Sequence, residues 1–293
     1  MEKAKVYFTK DLSSKGLVKI YETLGVNLKG NVAVKLHSGE AGNQNYLKPE
    51  FVKDLVELVN GTVVECNTAY DGMRDTTEKH KELMNNHGWT KYFNVDILDS
   101  EGDDKVLEIP NGIVINKNYV GKNIDKYNSM LVLSHFKGHP MGGYGGALKQ
   151  LSIGVASSKG KRYIHCVGKE NRTYEDMFQV EQDKFLEAMA DAASSITNYF
   201  KDNIVYINVM CNMSVDCDCC ATAKDPCMKD VGILASLDPV AIDEACIDLV
   251  YNSVDDGKKH LIERIESRNG LHTIEAAYKL GIGNKEYELV EID

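Results

Sequence analysis

The sequence of 293 residues lacks any apolar run that approaches the roughly 18 residues of a membrane-spanning helix. Its first residues, Met1 to Lys5, lead into the strand-like run 6–8 without the apolar segment of a signal peptide. Basic residues are fewer than acidic ones: the sequence has 34 lysines and arginines and 44 aspartates and glutamates, which gives a formal net charge of −10. Neutralising nucleic-acid phosphates requires a basic face. The sequence therefore predicts a cytoplasmic protein that binds neither a membrane nor nucleic acid.

Cysteine is plentiful, but no disulfide framework is expected of the eight cysteines, because the cytoplasm keeps thiols reduced. Cys66, Cys166 and Cys246 stand in apolar surroundings, which is typical of thiols in a core. The other five lie within 17 residues, from Cys211 to Cys227, and require a different explanation.

Hydrophobic periodicity predicts an α/β fold. Strand-like runs alternate with amphipathic helices over residues 6–88, an order that predicts a mainly parallel sheet flanked by helices. A β-rich excursion follows around residues 93–120, with its last strand predicted over 113–120. Later strands are predicted over residues 130–136, 163–167, 203–210 and 231–236, and later helices over 182–200 and 239–251. We expect one body over residues 1–293, with two lobes as the alternative.

Four polar loops follow predicted strands, at residues 37–45, 67–74, 135–149 and 211–227. The carboxyl ends of parallel strands meet at one edge of a sheet, where open α/β folds bind ligands. We therefore expect the four loops to form one crevice. His37 and Glu40, in the first loop, are candidate cofactor contacts there.

The loop at 135–149 combines two histidines and two lysines with a cluster of glycines. Glycine loses the most backbone freedom on folding, so the cluster indicates either close approach to a ligand or an irregular surface loop. On the first interpretation, His135, Lys137 and His139 are catalytic candidates. The candidate contacts of an anionic cofactor or substrate are Lys149 and the amides of Gly142, Gly143, Gly145 and Gly146.

This loop matches no common ligand-binding motif. It fits neither the P-loop nor the dinucleotide fingerprint, and it contains no H-E-x-x-H. Gly138 and Pro140 also argue against a helix that would place His135 and His139 on one face. Further along, His165 follows a basic stretch at residues 159–162 and precedes Cys166, which makes it a stronger candidate for a functional site than an isolated histidine.

The stretch 216–220, D-C-D-C-C, contains one C-x-x-C pair. Thiolates are soft ligands for zinc, copper(I) and iron–sulfur clusters. The neighbouring carboxylates raise the pKa of these thiols unless a cation is present. A loop whose thiols only pack is the alternative, but five cysteines in a polar loop favour a metal ion or an iron–sulfur cluster. The candidate ligands are Asp216, Cys217, Cys219 and Cys220.

Several segments together resemble the DUF362 family, whose members are often labelled iron–sulfur proteins of uncharacterised function. They are V-A-V-K-L-H-S-G-E at 32–40, the segment 134–161, D-C-D-C-C at 216–220 and D-P-V-A-I-D at 238–243. The resemblance implies an α/β body in which two loops share a site: the histidine loop, residues 135–149, and the thiol loop, residues 211–227. It implies no established reaction. Relatives commonly carry an inserted ferredoxin-type module, whereas the corresponding interval here, 166–203, holds one predicted helix and no cysteine run.

Three functions remain open. The first is a metal- or metallocofactor-binding protein, redox-related by its family resemblance, with one site built from the H-x-K-G-H and D-C-D-C-C loops. The second is a metal-free enzyme that holds an anionic small molecule through Lys137, Lys149 and backbone amides, with His135 or His139 as general acid or base. The third is a non-enzymatic scaffold for a ferredoxin-like partner. Whether the protein is an enzyme is undecided at this level.

Overall fold

The computed structural model of the protein describes residues 3–102 and 104–293. Three residues lie outside the described ones: Met1, Glu2 and Asp103. The first two begin the segment that was expected not to be a signal peptide, and Asp103 belongs to the expected β-rich excursion. Within this part of the chain, no helix combines the length and the apolar character needed to cross a membrane.

The strands in the described part of the chain are numbered in sequence order. They are β1 (Ala4–Thr9), β2 (Val32–Lys35), β3 (Gly61–Glu65), β4 (Val95–Ile97), β5 (Asp104–Glu108), β6 (Lys117–Gly121), β7 (Ser129–His135), β8 (Lys137–His139), β9 (Gly143–Gly145), β10 (Ile204–Met210), β11 (Gly232–Ser236) and β12 (Tyr287–Glu291).

The helices are numbered in the same way. They are α1 (Ser14–Thr23), α2 (Pro49–Leu58), α3 (Thr77–Asn86), α4 (Trp89–Tyr92), α5 (Ala147–Lys149), α6 (Ser158–His165), α7 (Gln182–Phe200), α8 (Pro239–Tyr251), α9 (Lys258–Ser267) and α10 (His272–Lys279). A π-helical turn, Gln150–Gly154, continues α5, and short 3₁₀ turns occur at Lys122–Lys126 and Glu175–Phe178.

The central sheet has the strand order β12-β1-β11-β10-β7-β2-β3-β4 and confirms the predicted, mainly parallel α/β fold. β11 alone among these eight strands runs antiparallel to its neighbours. Because β11 reverses, the long connection from β10 to β11 remains at the carboxyl edge of the parallel strands. The sheet topology therefore places the thiol loop beside the loops that follow β2, β3 and β7.

Both faces of the sheet are covered by helices, which explains why its central strands are mainly apolar. Alternate residues of β7 enter different apolar layers: Met130 and Val132 pack with α7 and α8, whereas Leu131 and Leu133 pack with α1 and α2. The sheet is thus buried on both faces, and its carboxyl edge is where polar side chains collect.

The β-rich excursion is present, but its last strand is shorter than predicted. β5 and β6 form a separate antiparallel pair, while β4 joins the edge of the central sheet. The strand predicted over 113–120 begins only at Lys117. The buried Asp191 carboxylate accepts the backbone N–H groups of Ile113, Val114 and Ile115 at 2.7, 2.8 and 2.9 Å, which removes these residues from the strand.

The strand predicted over 163–167 was wrong, because these residues belong mostly to α6. The Ser157 hydroxyl accepts the N–H of Gly160 at 3.0 Å and caps the helix, which outweighs the strand preference of Tyr163 and Ile164. The helix places Lys161 and His165 four residues apart, and so on one face. The sequence also gave no indication of β12, which pairs in parallel with β1.

The glycine loop forms a small hairpin, β8–β9, and not the irregular loop considered from the sequence. Its glycines allow close contact between backbones. A Cβ on Gly138 would lie 2.3 Å from the carbonyl oxygen of Val215, and one on Gly143, where φ is +82°, would lie 2.9 Å from Cα of Gly270. At Gly146 a Cβ would lie 2.4 Å from the carboxylate of Asp243. Each of these three glycines has a packing requirement that involves no ligand.

Alanine substitution tests the close contact at Gly143. We expect Gly143→Ala to lower the free energy of unfolding by about 2 kcal/mol more than Gly25→Ala, because both positions have positive φ but only Gly143 faces another backbone. Gly25, with no atom within 4 Å of an added Cβ, is the matched control. Urea unfolding of the two variants measures the difference, and equal losses would contradict this explanation.

Candidate metal centre

The four loops expected at the carboxyl edge contact one another there. The backbone N–H of Glu40, after β2, donates to the carbonyl of Asp218, after β10, at 2.9 Å. The Tyr70 hydroxyl, after β3, donates to the Glu40 carboxylate at 3.1 Å. The loop after β7 reaches the same place through His135, as described next.

A buried carboxylate joins the histidine loop to the thiol loop. The Asp218 carboxylate lies 3.0 Å from Nδ1 of His135 and 2.6 Å from Nζ of Lys137. On the other side of the ring, Nε2 of His135 donates to the carbonyl of Cys211 at 2.6 Å. We call Asp218, His135 and Lys137 the Asp218 clamp. It is almost wholly shielded from solvent.

The clamp fixes the charge of its members. Burial opposes an imidazolium, but the Asp218 carboxylate outweighs it and raises the pKa of His135 to about 9. Burial likewise opposes the carboxylate, while His135 and Lys137 hold the pKa of Asp218 well below its ordinary value. Both ring nitrogens of His135 are therefore protonated and engaged at neutral pH, which leaves no lone pair for a metal. The catalytic role expected of His135 and Lys137 stays a prediction, and their contacts are those of a structural clamp.

Beside the clamp, His139, Cys217 and Cys219 form a group of potential metal donors. One nitrogen of His139 and the two sulfurs all lie within 4.8 Å of one another. The Cys217 sulfur also accepts the backbone N–H of Cys219 at 3.4 Å and lies 3.7 Å from Nζ of Lys149. Among the described residues, these three form a group that could hold a metal ion.

The two thiols of this group differ in acidity. A hydrogen bond from the Cys219 thiol, assisted by the positive charge of Lys149, holds the pKa of Cys217 well below its ordinary value despite burial. The same hydrogen bond, with one to Cys220 and with burial, raises the pKa of Cys219 well above its ordinary value. The surroundings therefore favour the thiolate form at Cys217 and the protonated form at Cys219.

His139 is neutral and has a defined tautomer. Burial and the neighbouring Lys149 lower the pKa of His139. Its Nδ1 accepts the backbone N–H groups of Gly142 at 2.9 Å and Met141 at 3.2 Å, so the ring proton lies on Nε2.

The other candidates occupy several positions. Asp216 lies outside the donor group, with its carboxylate 3.3 Å from Arg264 and accepting the N–H of Lys224. His37 and Glu40 both contact Arg74, at 3.3 and 3.0 Å. The glycines expected to contact a cofactor are not among the residues that border the cavity described next. They are Gly142, Gly143, Gly145 and Gly146.

A cavity of about 270 Å³ adjoins the donor group, and His139, Cys219 and Cys220 form part of its wall. Its described wall contains one carboxylate, Glu65, and four cationic side chains, Lys35, Arg74, Lys149 and Lys161. Large apolar side chains form another part of the wall: Met141, Ile153, Tyr174, Met177 and Phe178. The cavity is therefore cationic, although the protein as a whole is acidic.

Two cations of this cavity, Lys35 and Lys161, were not among the sequence-based site candidates. Lys35 is fully buried within β2 and bonds to Glu65 at 2.7 Å, and a lysine inside an otherwise apolar strand was the available signal. Lys161 belonged to the basic stretch beside His165, but the mistaken strand over 163–167 concealed that the two share a helix face.

A match to a family model confirms the family resemblance. A family model described as a domain of unknown function, DUF362, matches residues 32–248, and no curated protein matches the chain. The lactate racemase apoprotein from Thermoanaerobacterium thermosaccharolyticum aligns with 13% identity and a TM-score of 0.47, over 85% of this chain and 58% of that structure. A protein from Thermotoga maritima aligns with 11% identity and a TM-score of 0.41, over 91% of this chain and 58% of its own. The chain thus spans less than two thirds of either structure.

The pH dependence of stability tests the Asp218 clamp. A raised pKa means that His135 contributes its full stabilisation below its unfolded pKa and loses it as the pH rises through about 9. The difference in unfolding free energy between wild type and His135→Gln should therefore shrink by roughly 3 kcal/mol between pH 6 and pH 9.5. Urea unfolding in the presence of a reductant and a chelator measures it.

His165→Gln is the matched control for that experiment. Burial lowers the pKa of His165 to about 4, so this histidine is neutral in both folded and unfolded chains above its ordinary pKa. The difference in unfolding free energy between wild type and His165→Gln should therefore not change with pH over the alkaline part of the range. A flat difference for His135→Gln as well would contradict the clamp.

Proposed function

The chain belongs to the DUF362 family, and we propose that it is a metal-binding protein whose centre is formed by His139, Cys217 and Cys219. The observation that carries this proposal is the approach of these three donors to within 4.8 Å of one another at the wall of a cavity. Two sulfurs and an imidazole nitrogen are ligands that zinc and other borderline or soft ions prefer.

The state of the thiols fits a cation. The lowered pKa of Cys217 favours the thiolate form that binds metals, and the raised pKa of Cys219 means that a bound cation would have to displace its proton. Three protein donors leave a coordination position open, as in catalytic and not structural metal sites. Cys219 borders the cavity, so that a bound ion would act as a Lewis acid towards a ligand there.

The number of nearby sulfurs favours a single ion over an iron–sulfur cluster. Clusters are usually held by four cysteines. Here the donor group contributes two sulfurs, with Cys220 as a neighbour of Cys219. The Cys227 thiol is directed to the carbonyl of Met213 at 3.3 Å, and Cys211 packs against the apolar layer of α1 and α2. A redox role remains part of the proposal only if the ion itself is redox-active.

Lys149 adjusts the charge of the proposed centre. Two thiolates would neutralise a divalent ion, and the Lys149 ammonium then leaves the site with an excess positive charge. The ligand of the open position is therefore expected to be an anion. The Lys149 ammonium lies 3.7 Å from the Cys217 sulfur, so it would repel a metal ion bound to that sulfur and weaken metal binding.

One observation favours a second function, a metal-free enzyme that uses Cys217 as a nucleophile. Histidines that bind metals usually donate their other ring N–H to an oxygen acceptor. Nδ1 of His139 instead accepts the N–H of Gly142, which directs the Nε2 proton to the thiolate. In this function, Lys149 would stabilise the thiolate and hold an anionic substrate.

Metal analysis tests the first function. Wild type purified without oxygen, or titrated with zinc after treatment with a chelator, should bind one ion per chain. Cys217→Ser and Cys219→Ser should each weaken binding at least about tenfold, because each removes one of three protein donors. Cys227→Ser is the matched control, since this thiol belongs to the same loop but not to the donor group. An unmetallated wild type that takes up no ion would reject the proposal.

The thiolate titration tests the second function. In chelated protein, the difference in ultraviolet thiolate absorbance between wild type and Cys217→Ser reports the Cys217 thiolate. This difference should titrate with a midpoint well below the ordinary thiol pKa of 9.0. Lys149→Met should raise this midpoint by about 1–2 pH units, since it removes an adjacent positive charge. Lys159→Met, which changes an exposed lysine, should not. A midpoint near 9 in wild type would exclude Cys217 as an activated nucleophile, and stoichiometric metal in freshly purified protein would favour the first function.

A further inference from the structure

Lys161 is a cation of the cavity that neither proposed function uses. It is only 9% exposed, and its Nζ donates to the carbonyl of Ala156 at 2.5 Å. An ammonium has three hydrogens to donate. Lys161 forms no ion pair with a carboxylate of the described chain, whereas the neighbouring cations Lys35 and Arg74 pair with Glu65 and Glu40.

The two carboxylates that act on Lys161 electrostatically, Asp99 and Glu65, are already engaged, and Glu65 pairs with Lys35. The two oxygens of Asp99 accept the backbone N–H groups of Asn67 at 2.9 Å and Ser158 at 2.8 Å. Burial of a charge without a direct partner costs several kcal/mol in general, and it lowers the pKa of Lys161 here. A buried ammonium with hydrogens to spare, facing a cavity, indicates that its counter-ion arrives with a ligand.

His165 presents an acceptor beside that ammonium. Its Nδ1 donates to the carbonyl of Lys161 at 2.7 Å, so its Nε2 carries a lone pair. The ring stacks on Phe185 with centroids 4.8 Å apart, which holds its orientation. Lys161 and His165, one turn apart on α6, thus offer a donor and an acceptor on the same wall of the cavity.

The mouth of the cavity is apolar and partly uncovered. The rings of Tyr174 and Phe178 meet edge to face at 5.1 Å, and Phe178 is 58% exposed. Met177 and Ile153 continue this surface inwards. The volume lies just below the roughly 300–1,000 Å³ of pockets for drug-sized ligands, so the occupant must be smaller.

We propose that Lys161 anchors the carboxylate or phosphate of a small organic anion whose apolar body lies against Met177 and Phe178. Its anchor is separate from the donor group of His139, Cys217 and Cys219. The subsite therefore does not depend on a metal, and it adds to the anion expected at the open metal position a second anchoring cation and an apolar surface for the ligand's body.

Calorimetric binding of four probes tests this subsite. Phenyl phosphate and phenylacetate carry both an anion and an apolar body, inorganic phosphate lacks the body, and benzyl alcohol lacks the charge. At least one of the first two should bind wild type more tightly than either of the last two, and which one binds identifies the anionic group. Binding should persist in chelated Cys217→Ser protein. If instead no probe binds wild type at millimolar concentration, the proposal is overturned even where the metal centre stands.

Substitutions identify the anchor. Lys161→Met should weaken binding of the better organic anion at least about tenfold, as expected for loss of a hydrogen bond to a charged group, while Lys161→Arg should retain most of it. Lys159→Met, an exposed lysine on the same helix, is the matched control. Phe178→Ala should weaken the organic anions and leave inorganic phosphate unchanged. Unchanged binding in Lys161→Met would overturn the proposal.

Thermal unfolding separates a ligand anchor from a structural lysine. Without ligand, Lys161→Met should unfold at a higher temperature than wild type, because it removes a buried charge that has no direct counter-ion. Added organic anion should stabilise wild type more than the variant. A variant that is less stable than wild type, with an equal shift on adding the anion, would assign Lys161 to the fold and reject the proposed role.

Discussion

The pairing of the Asp218 carboxylate with His135 and Lys137 is the interaction on which the site depends. It joins residues more than 80 positions apart in the sequence and lies where water does not screen it. A buried ion pair adds little net stability compared with apolar packing, but removing one partner is costly because it leaves a bare charge. Asp218 stands between Cys217 and Cys219, so fixing its carboxylate also fixes both thiols beside His139.

The same principle extends along the carboxyl edge of the sheet. Lys35 pairs with Glu65, and Arg74 pairs with Glu40, so the buried carboxylates hold strands and loops together. All four cations border the cavity, and among them Lys149 and Lys161 form no ion pair with a carboxylate in the described chain. An acidic chain thereby contains a cationic cavity, since net charge describes the surface as a whole and not the local field of a cleft.

The thiol loop and the glycine hairpin have complementary roles. Gly138 lets the hairpin lie against the backbone of Val215, in the thiol loop, and this contact brings His139 towards the sulfurs. The glycines therefore serve the site by permitting close packing, although the sequence alone also suggested direct contact with a ligand. The residues matched by the family model, 32–248, include both loops.

The sequence by itself determined the α/β class, the excursion near residues 93–120 and the loops that meet at the sheet edge, because periodicity is local and parallel strands share one carboxyl edge. It named Cys217 and Cys219 as metal candidates together with Cys220 and Asp216, and it named His139 only together with His135 and Lys137. Only the tertiary structure distinguishes the two histidines, because Asp218 occupies one ring and leaves the other beside the thiols. Likewise, the cap at Ser157 decided that Lys161 and His165 share a helix face. Such roles depend on partners distant in sequence, and no local pattern encodes which partner a buried charge will meet.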